Sequence, residues 1–172
     1  MRGWLLDTNV VSELRRPKPA AAVARFVSAQ PGDLLFTTQV TFGEIRFGIE
    51  QLEDAGRRAE IHLWLDRTLR PLFANRVLAI TEDVIVRWKT MVVEGQKRGH
   101  TFGQPDLFIA AIAALEDLVV VTRDIDEFVA AGVPAFDPWS SILHAQDKGM
   151  AIGAPASVEA VVEILLGMRR GR

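Results

Sequence analysis

The sequence predicts an α/β sandwich built on a mainly parallel central sheet flanked by helices. Two observations carry this. Short β-type apolar runs alternate with longer helical patterns along the chain. The runs are also unbroken rather than alternating with polar residues, which suits strands covered on both faces. With 172 residues, 49% hydrophobic and 24% charged, the chain can bury a core and is not a disordered segment.

Taken in order, the first run is Trp4-Leu5-Leu6, closed by Asp7. Leu34-Leu35-Phe36, Val77-Leu78-Ala79-Ile80 and Leu118-Val119-Val120-Val121 follow, and Pro134-Ala135-Phe136 is a weaker fifth. Helices fill the gaps. Between Thr38 and Leu52, Phe42, Ile45, Ile49 and Leu52 recur at steps of three and four, which predicts one buried stripe. Arg57–Leu69 and Glu82–Arg98 have similar spacing with charged outer faces, and Thr81-Glu82-Asp83 supplies an N-terminal cap with acids in the first turn. Leu107–Leu115 is apolar all round, which predicts a central helix. After Asp137-Pro138-Trp139 the β/α pattern stops. A stretch rich in Gly, Ala and Pro (Gly149–Pro155) and an amphipathic stretch (Val158–Met168) precede Arg169-Arg170-Gly171-Arg172. This predicts one domain over residues 1–144 and an appended tail over 145–172.

Composition excludes several kinds of chemistry. There is no cysteine, so disulfides, thiol nucleophiles and thiolate metal sites are ruled out. The three histidines, His62, His100 and His144, form no HExxH pair, so a bound metal must be held by oxygen. His100 reads as part of a Gly99-His100-Thr101 turn rather than as a base. A net charge of −2 does not suit a protein that coats nucleic acid by bulk charge. No N-terminal export pattern and no apolar stretch near the roughly 20 residues of a membrane span is evident, so the expected compartment is the cytoplasm.

Four acids sit where a core or a cap does not demand them. Asp7 and Asp124 follow apolar strands, and in an open parallel sheet ligands bind at the carboxyl ends of strands near the point where strand order reverses. Asp106, preceded by Pro105, opens the apolar helix. Glu44 lies within the Thr38–Leu52 helix, with Gly43 and Gly48 leaving space beside it. Singly, each has an ordinary alternative: Asp7 caps a helix beginning at Val10, Glu44 is a solvated helix residue, Asp106 complements a helix dipole, and Asp124 caps Ile125–Ala131. Four carboxylates in one cleft would repel, and a divalent cation removes that penalty. All-oxygen ligation selects Mg²⁺ or Mn²⁺, which suits phosphodiester hydrolysis by an activated water.

Together the motifs carry a resemblance. Leu5-Leu6-Asp7-Thr8-Asn9-Val10-Val11-Ser12-Glu13 resembles the opening motif of PIN-domain nucleases of the VapC/FitB type, the toxins of bacterial toxin–antitoxin pairs. Thr41-Phe42-Gly43-Glu44-Ile45-Arg46-Phe47-Gly48, Asp106-Leu107-Phe108-Ile109-Ala110-Ala111 and Val121-Thr122-Arg123-Asp124 are similar to the next three motifs in the family's order. Phe136-Asp137-Pro138-Trp139 is similar to the FitB-like branch. The resemblance spans roughly residues 3–144. It implies a PIN-like three-layer sandwich, Asp7, Glu44, Asp106 and Asp124 as metal-binding acids, Asn9 orienting Asp7, and Thr122 offering a hydroxyl to the metal's water or to substrate. The fourth acid varies across the family, and Asp126 is a nearby substitute. Gln104-Pro105 replaces the small residues often found before the third acid.

The resemblance further implies an endoribonuclease dependent on Mg²⁺, with Mn²⁺ as substitute, that leaves 5′-phosphate and 3′-hydroxyl ends. It implies a homodimer and a cognate VapB/FitA-type antitoxin, with DNA engaged only through that antitoxin. Arg46, Lys97, Arg98 and Arg123 are candidates for a positive rim that meets RNA phosphates. Trp64, Trp88 and Trp139 read as core packing ahead of base stacking. A haloacid-dehalogenase-like phosphatase would require an acid where Asn9 stands, and a receiver domain lacks its middle-strand acceptor and late lysine. A catalytically inactive PIN-fold binding module, acting through its antitoxin, is the alternative of a different class.

Overall fold

The computed structural model describes residues 1–146 and 148–170. The sheet forms as expected at its centre, with β1 (Gly3–Leu6), β2 (Leu35–Thr38), β3 (Val77–Leu78), β4 (Leu118–Val121) and β5 (Ala135–Asp137) all parallel. Strand order is β3-β2-β1-β4-β5, extended by β6 (Ile142–Ala145) and β7 (Lys148–Ala151), which are antiparallel. The order reverses between β1 and β4, and their paired residues run from Gly3↔Leu118 to Leu6↔Val121.

The core explains why the central strands read as unbroken apolar runs. Trp4, Leu6, Val119 and Val121 pack into one layer, with Val10 of α1 (Thr8–Leu14) and Val23 and Phe26 of α2 (Ala21–Ala29). The intervening Leu5, Leu118 and Val120 face the opposite layer, which is built from α6 (Glu82–Lys97), α7 (Gln104–Leu115) and α8 (Ile125–Ala130). Successive strand side chains point to opposite faces, so a strand with helices on both sides must be apolar at every position.

The remaining helices follow their sequence signals closely. In α3 (Gln39–Glu50), Phe42 and Ile49 are buried and Ile45 packs partly against the same layer. The stretch expected over 57–69 begins as α4 (Ala55–Trp64), widens into a π-turn over Leu65–Leu69 and ends in α5 (Arg70–Leu72). Helix α1 starts at Thr8 rather than Val10, and α7 starts at Gln104 rather than at Leu107. Leu34 belongs to a 3₁₀ turn before β2, and β3 stops at Leu78.

Two departures are larger. Helix α2 was not expected, because Pro17 and Pro19 mask the Val23/Phe26 spacing that follows them. The sheet also does not stop after Trp139. The expected boundary after residue 144 falls inside β6, and the following helix, α9 (Val158–Arg170), places Val158 and Val161 in the core. Burying such valines contributes roughly 1.5–3 kcal/mol each, so this segment shares the domain's core. Gln30 ties the two parts together: its Oε1 accepts from Trp4 Nε1 at 2.9 Å, and its Nε2 donates to the Ala156 carbonyl at 2.8 Å. Gly171 and Arg172, the end of the arginine-rich terminus, lie outside the described residues. No helix among the described residues is long and apolar enough to cross a membrane.

Candidate active site

The reversal of strand order sets Asp7 and Thr122 side by side, because each follows the last paired residue of its strand, Leu6 and Val121. Asp7 N–H donates to the Val121 carbonyl at 3.1 Å, which fixes the carboxylate at the carboxyl edge of the sheet. The Asp7 side chain is buried, at 3% exposure. Its Oδ1 accepts from Thr8 N–H at 2.6 Å, so the capping interaction is real. Its Oδ2 accepts from Asn9 Nδ2 at 2.9 Å and from Thr122 Oγ1 at 2.7 Å. Asn9 therefore orients Asp7, and its amide also reaches Thr122 Oγ1 at 2.8 Å and Asp124 Oδ2 at 3.1 Å.

Thr122 differs from its expected role. Its hydroxyl is fully buried and donates to Asp7, while accepting from Asp124 N–H at 3.0 Å. It is a brace for two acids and faces no solvent. Asp124 stands at the N-cap of α8, yet its side chain makes no capping bond and turns to Asn9 instead. One amide thus joins two acids that are 117 residues apart in sequence, at positions 7 and 124.

Glu44 reaches the site from α3. Thr38 closes β2 and caps the helix by accepting from Thr41 N–H at 2.9 Å, which aims the following turns across the strand ends. Thr8 Oγ1 donates a short hydrogen bond to Glu44 Oε2. Sequence reasoning missed this role for Thr8, although its place beside Asp7 was a signal. Gly43 and Gly48 both border open space, since a Cβ at either would meet nothing within 4 Å beyond its chain neighbours.

Asp106 lies in the first turn of α7, half-buried, and its carboxylate makes no hydrogen bond among the described residues. Its coupling to the other acids is electrostatic. Burial, followed by the charges of Glu44, Glu127 and Asp124, pushes its pKa from the ordinary 3.8 up to about 6. Burial pushes Asp7 further, to about 7, against the lowering effect of the Thr122 and Thr8 hydrogen bonds and with the help of Asp106 and Glu44. Glu127 was not anticipated. It lies three residues after Asp124, on the same helical face, whereas the proposed substitute Asp126 is exposed.

The arrangement leaves excess negative charge. Among the described residues, no ion pair involves Asp7, Glu44, Asp106 or Asp124. Nor do any three acid or histidine side chains close into a tight cage there. The all-oxygen donor set and the two raised carboxyl pKa values fit a hard divalent cation. The expected positive rim is only partly free. Arg98 donates to the carbonyls of Glu94 and Ala130, Arg123 stacks 4.3 Å from the Trp139 ring centre beside Asp124, and Arg46 is exposed two residues beyond Glu44.

Comparison with known proteins places this geometry in a family. The model of the family described as "PIN domain" matches residues 4–133, ending ahead of β6, β7 and α9. The chain is similar to a protein named VapC ribonuclease Y4jK of Sinorhizobium fredii, at 33% identity over 78% of this chain and 96% of that one. It is likewise similar to a protein named Toxin FitB of Neisseria gonorrhoeae, at 33% identity over 78% and 97% of the two chains. The crystal structure of FitAcB from Neisseria gonorrhoeae superposes with a TM-score of 0.75 at 33% identity, covering 79% of this chain and 98% of that one. A core of helices on both faces of a parallel sheet, with acids gathered where strand order reverses, agrees with the sequence match over three-quarters of the chain: this protein belongs to the PIN domain family.

Proposed function

We propose that this protein is a Mg²⁺- or Mn²⁺-dependent endoribonuclease and the toxin of a toxin–antitoxin pair. The observation that carries the reading is the cluster of Asp7, Glu44, Asp106 and Asp124 at the carboxyl edge of the sheet, with no ion pair to any of the four among the described residues. Relatives named as a VapC ribonuclease and as a toxin support the substrate class and the biological role.

The four acids would hold the ion, which when bound supplies acidification of water and neutralisation of phosphate charge for phosphodiester hydrolysis. Asn9 and Thr122 hold Asp7 Oδ2 in place, and Thr8 holds Glu44 Oε2, so two carboxylates are oriented before substrate arrives. Arg46 and Arg123 flank the acids and contact RNA phosphates, giving binding that weakens with salt. No histidine base is required, and the 2′-hydroxyl is not the nucleophile, so products carry 5′-phosphate and 3′-hydroxyl ends.

The partner is a VapB/FitA-type antitoxin that lays an apolar helix on the toxin and sends an arginine among the acids, where bidentate pairing replaces the cation. With a net charge of −2, this chain meets DNA only through that antitoxin. The toxin acts as a homodimer in the cytoplasm. Incubation of purified protein with structured RNA in Mg²⁺ is expected to give discrete cuts that excess EDTA abolishes and Mn²⁺ restores. Cutting that persists in EDTA contradicts the mechanism, and no cutting under any metal favours the inactive binding module.

A further inference from the structure

Against the first turn of α7, which carries Asp106, lies a cavity of about 230 Å³, walled by Trp88, Val92 and Gln96 of α6, by His100 and Phe102 of the connecting loop, and by Gln104. We propose that this cavity is a nucleobase subsite that receives one unstacked base of the RNA next to the scissile phosphate. The inference rests on the nuclease reading above and adds to it how the substrate sequence is read.

The walls are held in place. Trp88 stacks on Phe108 with ring centres 4.7 Å apart and planes 11° from parallel. Phe102 packs so closely on Gly95 that a Cβ there would lie 2.3 Å from the ring, which makes the glycine a requirement of the loop's position. The Phe102 ring meets His100 edge-on at 4.4 Å. A preformed pocket of this kind selects a ligand without first having to order itself.

Its chemistry selects a base over the rest of a nucleotide. No lysine or arginine among the described residues lines it, and Lys89 stands 5.7 Å from the Trp88 ring centre without entering the wall. Aromatic rings offer stacking, and two glutamine amides offer both donors and acceptors, which suits the π-face and mixed edge of a base. Trp88 Nε1 is buried without a hydrogen-bond partner among the described residues, whereas His100 Nε2 and Glu127 Oε2, also without a hydrogen bond, face each other at 3.7 Å. An unpaired buried indole N–H is costly and marks a place where a partner is missing.

Its position ties it to the reaction. Gln104 and Leu107 line the cavity and bracket Asp106 in the first turn of α7. A Cβ on Gly103 would lie 3.5 Å from Asp106 Oδ2, and His100 Nε2 stands 3.7 Å from Glu127 Oε2. The pocket and Asp106 thus occupy the same first turn of α7, on different faces of it, and His100 links the pocket wall to Glu127, whose charge acts on Asp106.

The test uses the full chain in EDTA, with the indole N–H resonance of Trp88 assigned by its loss in Trp88→Phe. The four nucleoside 5′-monophosphates and ribose 5-phosphate are titrated separately. At least one nucleotide should shift the Trp88 resonance saturably while ribose 5-phosphate does not, and Gln104→Ala should weaken that binding by about three- to tenfold, the worth of one hydrogen bond. No saturable shift with any nucleotide, or an equal shift with ribose 5-phosphate, overturns the proposal. Sequencing of cut sites in Mg²⁺ gives a second arm: Gln104→Ala should change which base flanks the cut, and an unchanged preference counts against base reading. Failure of wild type to cut RNA would remove the nuclease reading, while the titration still decides the pocket.

Discussion

Asp106→Asn is expected to lower Mg²⁺-supported RNA cleavage by about 10²- to 10³-fold, the scale on which removing one preorganised stabilising group acts in a catalytic site. Asp106 makes no hydrogen bond among the described residues, and burial, followed by the charges of Glu44, Glu127 and Asp124, raises its pKa, so its charge is unfavourable to the fold on its own. Asparagine has the same shape and removes a repelling charge. The variant should therefore fold as well as wild type while losing one donor for the cation. Rates on one defined RNA, with sequencing of product ends, check this. Equal rates for the two proteins would assign the activity to a contaminating nuclease.

Without divalent ions, the protein should become less stable as pH rises from about 5 to about 8. Asp7 titrates at 3.8 in the unfolded chain and at about 7 in the fold, so between those values the folded state holds the extra proton. Unfolding then releases a proton, and stability falls with rising pH until the folded group has ionised. The effect from Asp7 is on the order of 2 kcal/mol between pH 5 and 7, its slope fading as the folded group ionises. Asp106, raised to about 6, adds in the same direction over the lower part of that window. Mn²⁺ should reverse the trend, because it binds the ionised carboxylates and its affinity rises with pH. Urea midpoints in EDTA and in Mn²⁺, at both ends of the range, measure this. A metal-free protein more stable at pH 8 than at pH 5 would contradict the account.

The parallel centre of the sheet was legible because burial on both faces leaves a local mark, every residue of Trp4–Leu6 and Leu118–Val121 being apolar. The edge was not. Strands β6 and β7 cover the sheet's margin, where Lys148 and Gly149 are exposed, so no apolar run announces them. Context decides such strands more than propensity does. The site shows the same division. Asp7 and Asp124 could be placed from strand ends alone, because parallel order puts those ends together. The support around them is a matter of side-chain direction across the fold. Thr8 on Glu44, Thr122 turned inward to Asp7, and Glu127 beside Asp106 emerge only when α1, α3, α7 and α8 have met.

The most direct measurement is an anomalous-scattering map from crystals of the full chain grown with Mn²⁺. The account predicts a peak bounded by the carboxylates of Asp7, Glu44, Asp106 and Asp124, lost in Asp106→Asn or Asp7→Asn crystals. Manganese bound elsewhere on the surface, with those four side chains left bare at saturating metal, would contradict it.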